Sequence, residues 1–201
     1  MIYLLRLAIF ASGKGSNLRA IYNAIRSGEL KGAELALVLS NNSTAEALAF
    51  AREHEIEALH LSPLTTGAEQ YEAELLQAMN DRSIDLIALA GYMRKIPDSL
   101  IEAYKGRIVN IHPALLPEFG GSGMYGSYVH EAVLKAGKNK TGASVHFVEG
   151  EYDSGRIILQ AECSVEPDDT PQSLGKRVLQ CEHELYPKAL QIVINTILSS
   201  K

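Results

Sequence analysis

Within the first 90 residues, short apolar runs at positions 4–11, 35–39, 56–61 and 86–90 alternate with segments whose apolar residues recur at helical spacing. The first helical segment, 17–26, places Leu18, Ile21, Tyr22 and Ile25 on one stripe and stops at Gly28. A second covers 44–54, and a third, 68–81, carries Tyr71, Leu75, Leu76 and Met79. The runs are continuously apolar instead of alternating, which is the pattern of strands buried on both faces. Strands joined through helices are parallel, and their crossovers are right-handed. Ligands in such sheets bind beyond the carboxyl ends of the strands. Here those ends are the segments 12–17, 40–42 and 91–96 and the chain after Ile111.

The second half departs from this regime. The runs 108–111, 143–148 and 157–163 read as strands, with a Gly-rich stretch at 119–128 and a helix over 128–136. The spacing predicts a final helix from Pro171 to about Leu198. Thr170 is a natural cap and Pro171 suits the first turn, while Pro187 is expected to kink or interrupt it. No linker, repeat or low-complexity tract divides the chain. The expected architecture is α/β, with one domain spanning 1–201: a Rossmann-like, mostly parallel twisted sheet flanked by helices, with an antiparallel C-terminal portion.

A chain of 201 residues with 46% hydrophobic and 21% charged residues supports a packed core without disulfides or metals. The net charge is −5, opposite to that of a general nucleic-acid or anionic-membrane binder. The apolar N-terminal stretch is broken by Arg6 and followed by a Gly-rich turn, so it reads as a first strand and not a signal sequence. The two cysteines, Cys163 and Cys181, have no CxxC spacing and are expected to be reduced thiols in a cytoplasmic protein. No HExxH pattern or i, i+4 histidine pair supports a metal site, and none is expected.

Ser12-Gly13-Lys14-Gly15-Ser16-Asn17 joins the first strand to the first helix. Glycines permit close backbone approach, and a helix N-terminus offers unpaired N–H groups, so a phosphate is the natural guest. The spacing lacks the Walker pattern. It also lacks the third glycine of a dinucleotide fingerprint, where Leu18 stands. The loop therefore suits a monophosphate, and the alternative is a tight strand-to-helix turn without a ligand.

Asn110-Ile111-His112-Pro113 ends a strand, because Pro113 cannot continue it. Asn110 and His112 are two apart and share one face. An amide and an imidazole together can polarise a carbonyl and shift a proton, or can simply cap a strand end. The turn Glu151-Tyr152-Asp153-Ser154-Gly155 holds a carboxylate able to face His112, and a nearby carboxylate favours imidazolium. His146, among apolar neighbours, reads as a core histidine. Glu182 on the last helix, taken alone, reads as solvent-facing.

Several segments together resemble the folate-dependent phosphoribosylglycinamide formyltransferases of purine synthesis. They are Ser12-Gly13-Lys14-Gly15-Ser16-Asn17-Leu18, Gly91-Tyr92-Met93-Arg94, Asn110-Ile111-His112-Pro113-Ala114-Leu115-Leu116-Pro117, Gly142-Ala143-Ser144-Val145-His146-Phe147-Val148, Asp153-Ser154-Gly155 and Glu182-His183. They fall in the family's order along essentially the whole chain. The resemblance implies transfer of a formyl group from 10-formyltetrahydrofolate to the amine of glycinamide ribonucleotide. It implies a catalytic trio of Asn110, His112 and Asp153. It implies that Gly15, Ser16 and Asn17 hold the ribose phosphate and that Glu182 meets the glycinamide amine. Met93, Arg94, Lys95 and Ile96, with Asn110 and the turn Glu149, Gly150, Glu151, Tyr152 and Asp153, would wrap the pterin. The N-terminal half would then bind phosphate and the C-terminal half folate, in a monomer or homodimer.

The chain departs from the family pattern at Ala68, where many relatives have Arg, and at Glu118 with the Gly-rich stretch 119–126. Rival readings are a formyltetrahydrofolate deformylase, another 10-formyltetrahydrofolate-dependent formyltransferase and, more distantly, a non-catalytic nucleotide-binding module.

Overall fold

The computed structural model describes residues 4–200, so positions 1–3 and 201 of the expected domain lie outside the described residues. In chain order the elements are β1 (Leu5–Phe10), α1 (Ser16–Ser27), β2 (Ala33–Ser40), α2 (Glu46–Glu53), β3 (Glu57–His60), α3 (Pro63–Thr66), α4 (Ala68–Asp81) and β4 (Leu86–Leu89). They continue with α5 (Asp98–Ala103), β5 (Ile108–His112), α6 (Ser127–Lys135), β6 (Lys140–Phe147), β7 (Ile157–Ser164) and α7 (Pro171–Ser199). The strands form one seven-stranded sheet in the order β3-β2-β1-β4-β5-β6-β7. Pairing from β3 to β5 is parallel, and β6 and β7 add on antiparallel. This is the α/β architecture with an antiparallel C-terminal portion that the run pattern implies.

Alternate residues of β1 explain the two layers. Leu5, Leu7 and Ile9, with Ala11 just past the strand, enter a core with α1, α2 and α7, whereas Ala8 and Phe10 enter a second core with Tyr71, Leu75 and Met79 of α4 and Leu100 of α5. A strand buried on both sides has no polar face to show, hence its continuous apolar run. The chain winds outward from β1 to β3, then returns to place β4 on the other side of β1. The crevice between the loops after β1 and β4 is therefore the switch point where such sheets take ligands.

Two short helices have no counterpart in the sequence reading. Neither α3 nor α5 is long enough to express a 3.6-residue period, yet α5 supplies the crossover from β4 to β5. Pro187 does not interrupt α7, which runs from Pro171 to Ser199. The helix buries Leu185, Tyr186, Ala189, Leu190, Val193 and Ile194 around that position, and this packing outweighs the roughly 3 kcal/mol that an internal proline costs. Among the described residues no helix is long and apolar enough to cross a membrane.

Candidate active site

The loop after β1 turns on Gly15, whose φ is +70°. A Cβ there would sit 3.0 Å from Cβ of Ala47 in α2, and the Ala47 N–H donates to the Gly13 carbonyl at 3.1 Å. Gly15 is thus required by the left-handed backbone and by the approach of α2. The N-terminus of α1 follows with no side-chain cap on its free N–H groups. Ser12 fixes the loop from both sides. Its hydroxyl donates to Asn41 and accepts the Met93 N–H at 2.8 Å, tying together the ends of β1, β2 and β4.

Asn17, in the first turn of α1, is buried and donates from Nδ2 to Glu182 Oε2 at 2.6 Å. The solvent-facing reading of Glu182 is therefore corrected: the residue is 8% exposed. Burial pushes its carboxyl above the usual range, partly offset by the Asn17 amide. The position of α7 is set one turn later by Tyr186, whose hydroxyl donates to the carbonyls of Leu89 and Val109 at 2.9 and 3.2 Å. The Oδ1 of Asn17 is buried with no hydrogen-bond partner in the structure. An acceptor and an acid thus meet beside the free end of α1.

The second cluster grows from the β5–β6 pair. Asn110 opposes His146 and His112 opposes Ser144, so all four side chains share one face. His146 is buried, but it belongs to this cluster and not to the apolar core, which corrects its expected place. Its Nδ1 lies 2.8 Å from the Phe147 carbonyl and so carries a hydrogen. Its Nε2 lies 3.1 Å from Asn110 Nδ2 and 3.4 Å from Asp153 Oδ1. The Asn110 amide has two hydrogens, and one remains for a ligand.

Asp153 faces both histidines, as its Oδ2 lies 3.4 Å from His112 Nδ1. It sits in a left-handed turn at φ +54°, a conformation Asp tolerates better than most residues. The turn closes at Gly155, where a Cβ would lie 1.8 Å from the Phe147 carbonyl oxygen. No other residue fits there, and this close approach swings the carboxylate back over β6. Burial works against the Asp153 charge, but the His146 and His112 rings and the Gly121 N–H outweigh it and hold the carboxyl below its ordinary value.

The Gly-rich stretch 119–126 lies on this cluster. The Phe119 carbonyl accepts from His112 Nε2 at 2.8 Å, and the Gly121 N–H donates to Asp153 Oδ2 at 3.0 Å. Both ring nitrogens of His112 thus face acceptors, a geometry that suits imidazolium. Burial opposes the charge more strongly than Asp153 and the Phe119 carbonyl support it, so His112 titrates below its ordinary value. The expectation that Asp153 raises it in net is therefore corrected: the carboxylate does push upward, but the ring is too deeply buried.

Ser144 and Gln160 were not singled out in the sequence, yet they hold the loop after β5. The Ser144 hydroxyl donates to the Ala114 carbonyl at 2.6 Å and accepts the Leu116 N–H at 2.9 Å. Gln160 Nε2 donates to both Ser144 Oγ and the Leu116 carbonyl, at 2.7 and 3.0 Å.

The remaining candidates differ in exposure. Met93 is exposed, Arg94 half-buried and Lys95 exposed, while the Ile96 side chain is in the core, so Ile96 can offer a ligand only its backbone. Glu149, Glu151 and Tyr152 are exposed around half-buried Gly150, and Ser16 is half-buried. Tyr92 is anchored beneath Met93 by a 2.7 Å hydroxyl contact with Tyr71, and burial drives its phenol far above the usual value. Among the described residues no group of three or more His, Cys, Asp or Glu is arranged to hold a metal ion. The arrangement can bind an anion at one end and, at the other, donate hydrogen bonds to a developing oxyanion and move a proton.

Comparison with known proteins follows the same outline. The formyl transferase family profile matches residues 5–190. A chloroplastic phosphoribosylglycinamide formyltransferase of Arabidopsis thaliana is 41% identical over 183 residues, which are 90% of this chain and 62% of that protein. The chain thus spans about three fifths of that relative's length. The crystal structure of glycinamide ribonucleotide transformylase 1 from Symbiobacterium toebii superposes with a TM-score of 0.90 at 35% identity, covering 96% of this chain and 89% of that one. That of phosphoribosylglycinamide formyltransferase from Bacillus halodurans gives 0.87 at 39% identity, covering 94% and 95%. The chain belongs to the formyl transferase family.

Proposed function

We propose that this member of the formyl transferase family transfers the formyl group of 10-formyltetrahydrofolate to the amine of glycinamide ribonucleotide, releasing tetrahydrofolate. The observation that carries this reading is the pairing of the buried Asn17–Glu182 contact, beside the free end of α1, with the Asn110–His112–His146–Asp153 cluster at the end of β5. A ribose phosphate fits the first and a reacting carbonyl fits the second. In this reading the N-terminal half holds the nucleotide. The C-terminal half, with residues 93–96 and 149–153, holds the folate.

The amine lone pair attacks the formyl carbon and the C=O bond becomes a C–O⁻ bond. The second Asn110 amide hydrogen and the His112 Nε2–H stabilise that oxygen, a contribution of about 3–4 kcal/mol for each donor of this kind. The formyl oxygen competes with the Phe119 carbonyl for the Nε2 hydrogen, so the Gly-rich stretch yields when substrate binds. As the intermediate collapses, the C–N bond to the folate breaks and its nitrogen takes up the proton that the amine gives up. Asp153 holds His112 in place and can relay that proton through water. Glu182 accepts a hydrogen bond from the amine and aims its lone pair, and this favours amine over water as the attacking group. No enzyme nucleophile is needed.

A steady-state assay with glycinamide ribonucleotide and 10-formyltetrahydrofolate tests this directly. Formation of tetrahydrofolate that depends on the ribonucleotide is expected. Formate release at the same rate without ribonucleotide would instead establish a deformylase.

A further inference from the structure

The proposed reaction makes no use of the two thiols, yet they meet across the seam between β7 and α7. Cys163, next to last in β7, packs beside Val133, Leu174 and Val178. Cys181 lies on α7 immediately before Glu182. Both are half-buried, and Cys181 stands close enough to push the Cys163 thiol upward. A surface hollow along the same seam is lined by Leu159, Gln160, Ala161, Glu162, Cys181 and Glu184. A small solute therefore reaches Cys181 from solvent, and Cys163 does not line that hollow.

We propose that Cys163 and Cys181 are an oxidisable dithiol that a peroxide closes to a disulfide, tying β7 to the turn of α7 that carries Glu182. The Cys181 thiolate attacks one peroxide oxygen, the O–O bond breaks, and a sulfenic acid and water result. The Cys163 sulfur then attacks the Cys181 sulfur, the S–O bond breaks, and the hydroxide leaves with the Cys163 proton as water. Two thiols lose two electrons in all, and one peroxide becomes two waters. Burial and the neighbouring Cys181 push the Cys163 thiol up to about 12. Cys163 therefore stays protonated at neutral pH, so its attack on the Cys181 sulfenic acid is the slow step.

Closure holds the sulfurs about 2.05 Å apart and pulls this turn of α7 toward β7. Glu182, the next residue, reaches the other way to Asn17 at 2.6 Å. Closure therefore strains that contact, and its effect on ligand rests on the function proposed above.

The test treats the reduced full chain with hydrogen peroxide at neutral pH, blocks free thiols, and reads intact mass, a peptide map and ribonucleotide binding by calorimetry. The expected result is loss of two hydrogens (about 2 Da) with a Cys163–Cys181 cross-linked peptide. Ribonucleotide affinity should fall about tenfold, and dithiothreitol should restore both. Cys163→Ser and Cys181→Ser should form no cross-link and keep peroxide-insensitive binding. Accumulation of sulfinic or sulfonic acid at Cys181 without a cross-link overturns the dithiol. A cross-link with unchanged affinity, or a peroxide effect that persists in Cys163→Ser, overturns the coupling to Glu182. Reduced protein that fails to bind ribonucleotide refutes the proposed function and leaves the mass result standing.

Discussion

The two ends of the site are built by different means. At the end of β1, recognition rests on backbone: a positive-φ glycine pressed against α2, the free N–H groups of α1 and one short buried contact between Asn17 and Glu182. At the end of β5 it rests on side chains: two histidines, an amide and a carboxylate that touch only because β5, β6 and the turn before β7 converge. A site held mainly by backbone is rigid and suits holding a phosphate. A cluster of buried titratable groups is costly to assemble, and its worth lies in moving charge. The contrast predicts that damage at the β5 end falls on turnover and damage at the β1 end falls on ribonucleotide binding.

The largest test of that division is at His112. Replacing it by Ala, or Asp153 by Asn, should lower kcat about 10²-fold or more and leave both substrate dissociation constants near wild type. Single-turnover rates with calorimetric affinities measure the two separately, and a wild-type kcat in either variant would remove the trio from the chemistry. Next, Gly15→Val should abolish ribonucleotide binding while folate binding survives. The left-handed backbone at Gly15 costs a β-branched residue about 1–3 kcal/mol, and Ala47 blocks the side chain, so a lower Tm should accompany the loss. Retained ribonucleotide affinity would show that the loop is only a turn.

A smaller and more specific effect is expected at Glu182. Gln at this position still accepts from Asn17, so the fold is kept and only the charge is tested. Ribonucleotide binding or turnover should weaken by about 1.5–3 kcal/mol with folate affinity unchanged. If kcat/KM for the ribonucleotide does not move, the carboxylate serves α7 and not the amine.

The same contrast governs what could be read from the sequence. The β1 loop was legible because its signal is local: glycine spacing, a strand before it and a helical stripe after it. His146 and Glu182 were misplaced for the opposite reason. Nothing within a few residues of His146 distinguishes a core histidine from one that meets a carboxylate arriving from the next turn. Glu182 is buried by Asn17, 165 residues away in sequence. Gln160 carries no motif, and the segment 142–148 gives Ser144 no role of its own, since both matter only through the carbonyls of the loop after β5 that they hold. The helix α5 was missed because six residues are too few for a period to appear, and α7 outlasted Pro187 through packing that no local rule weighs.

The finest test is titration, because the two ends respond to pH in opposite senses. Burial raises the Glu182 carboxyl above 4.5, so the folded state favours its protonated form. The stability this contributes is present at low pH and is lost as pH rises through the raised value. Burial lowers His112 below 6.5, so the folded state favours the neutral ring, and stability is lost as pH falls below 6.5. Asp153, held below 3.8 by the histidines and the Gly121 N–H, acts in the same direction at still lower pH. Glu182→Gln should therefore flatten the decline in stability above pH 4.5, and His112→Gln the decline below pH 6.5, each measured by urea unfolding across the range. NMR should find His112 titrating below its ordinary value in the wild type. In Asp153→Asn it should titrate lower still, because the carboxylate is the largest influence pushing it upward. Neutral His112 keeps its Nε2–H toward Phe119, so a hydrogen bond to the formyl oxygen does not require imidazolium. Activity should accordingly rise from about pH 5.5 to 7.5 as the substrate amine loses its proton. A fall across that interval at saturating substrate would mean that the charged ring is the working form and that substrate binding lifts His112 well above its free value.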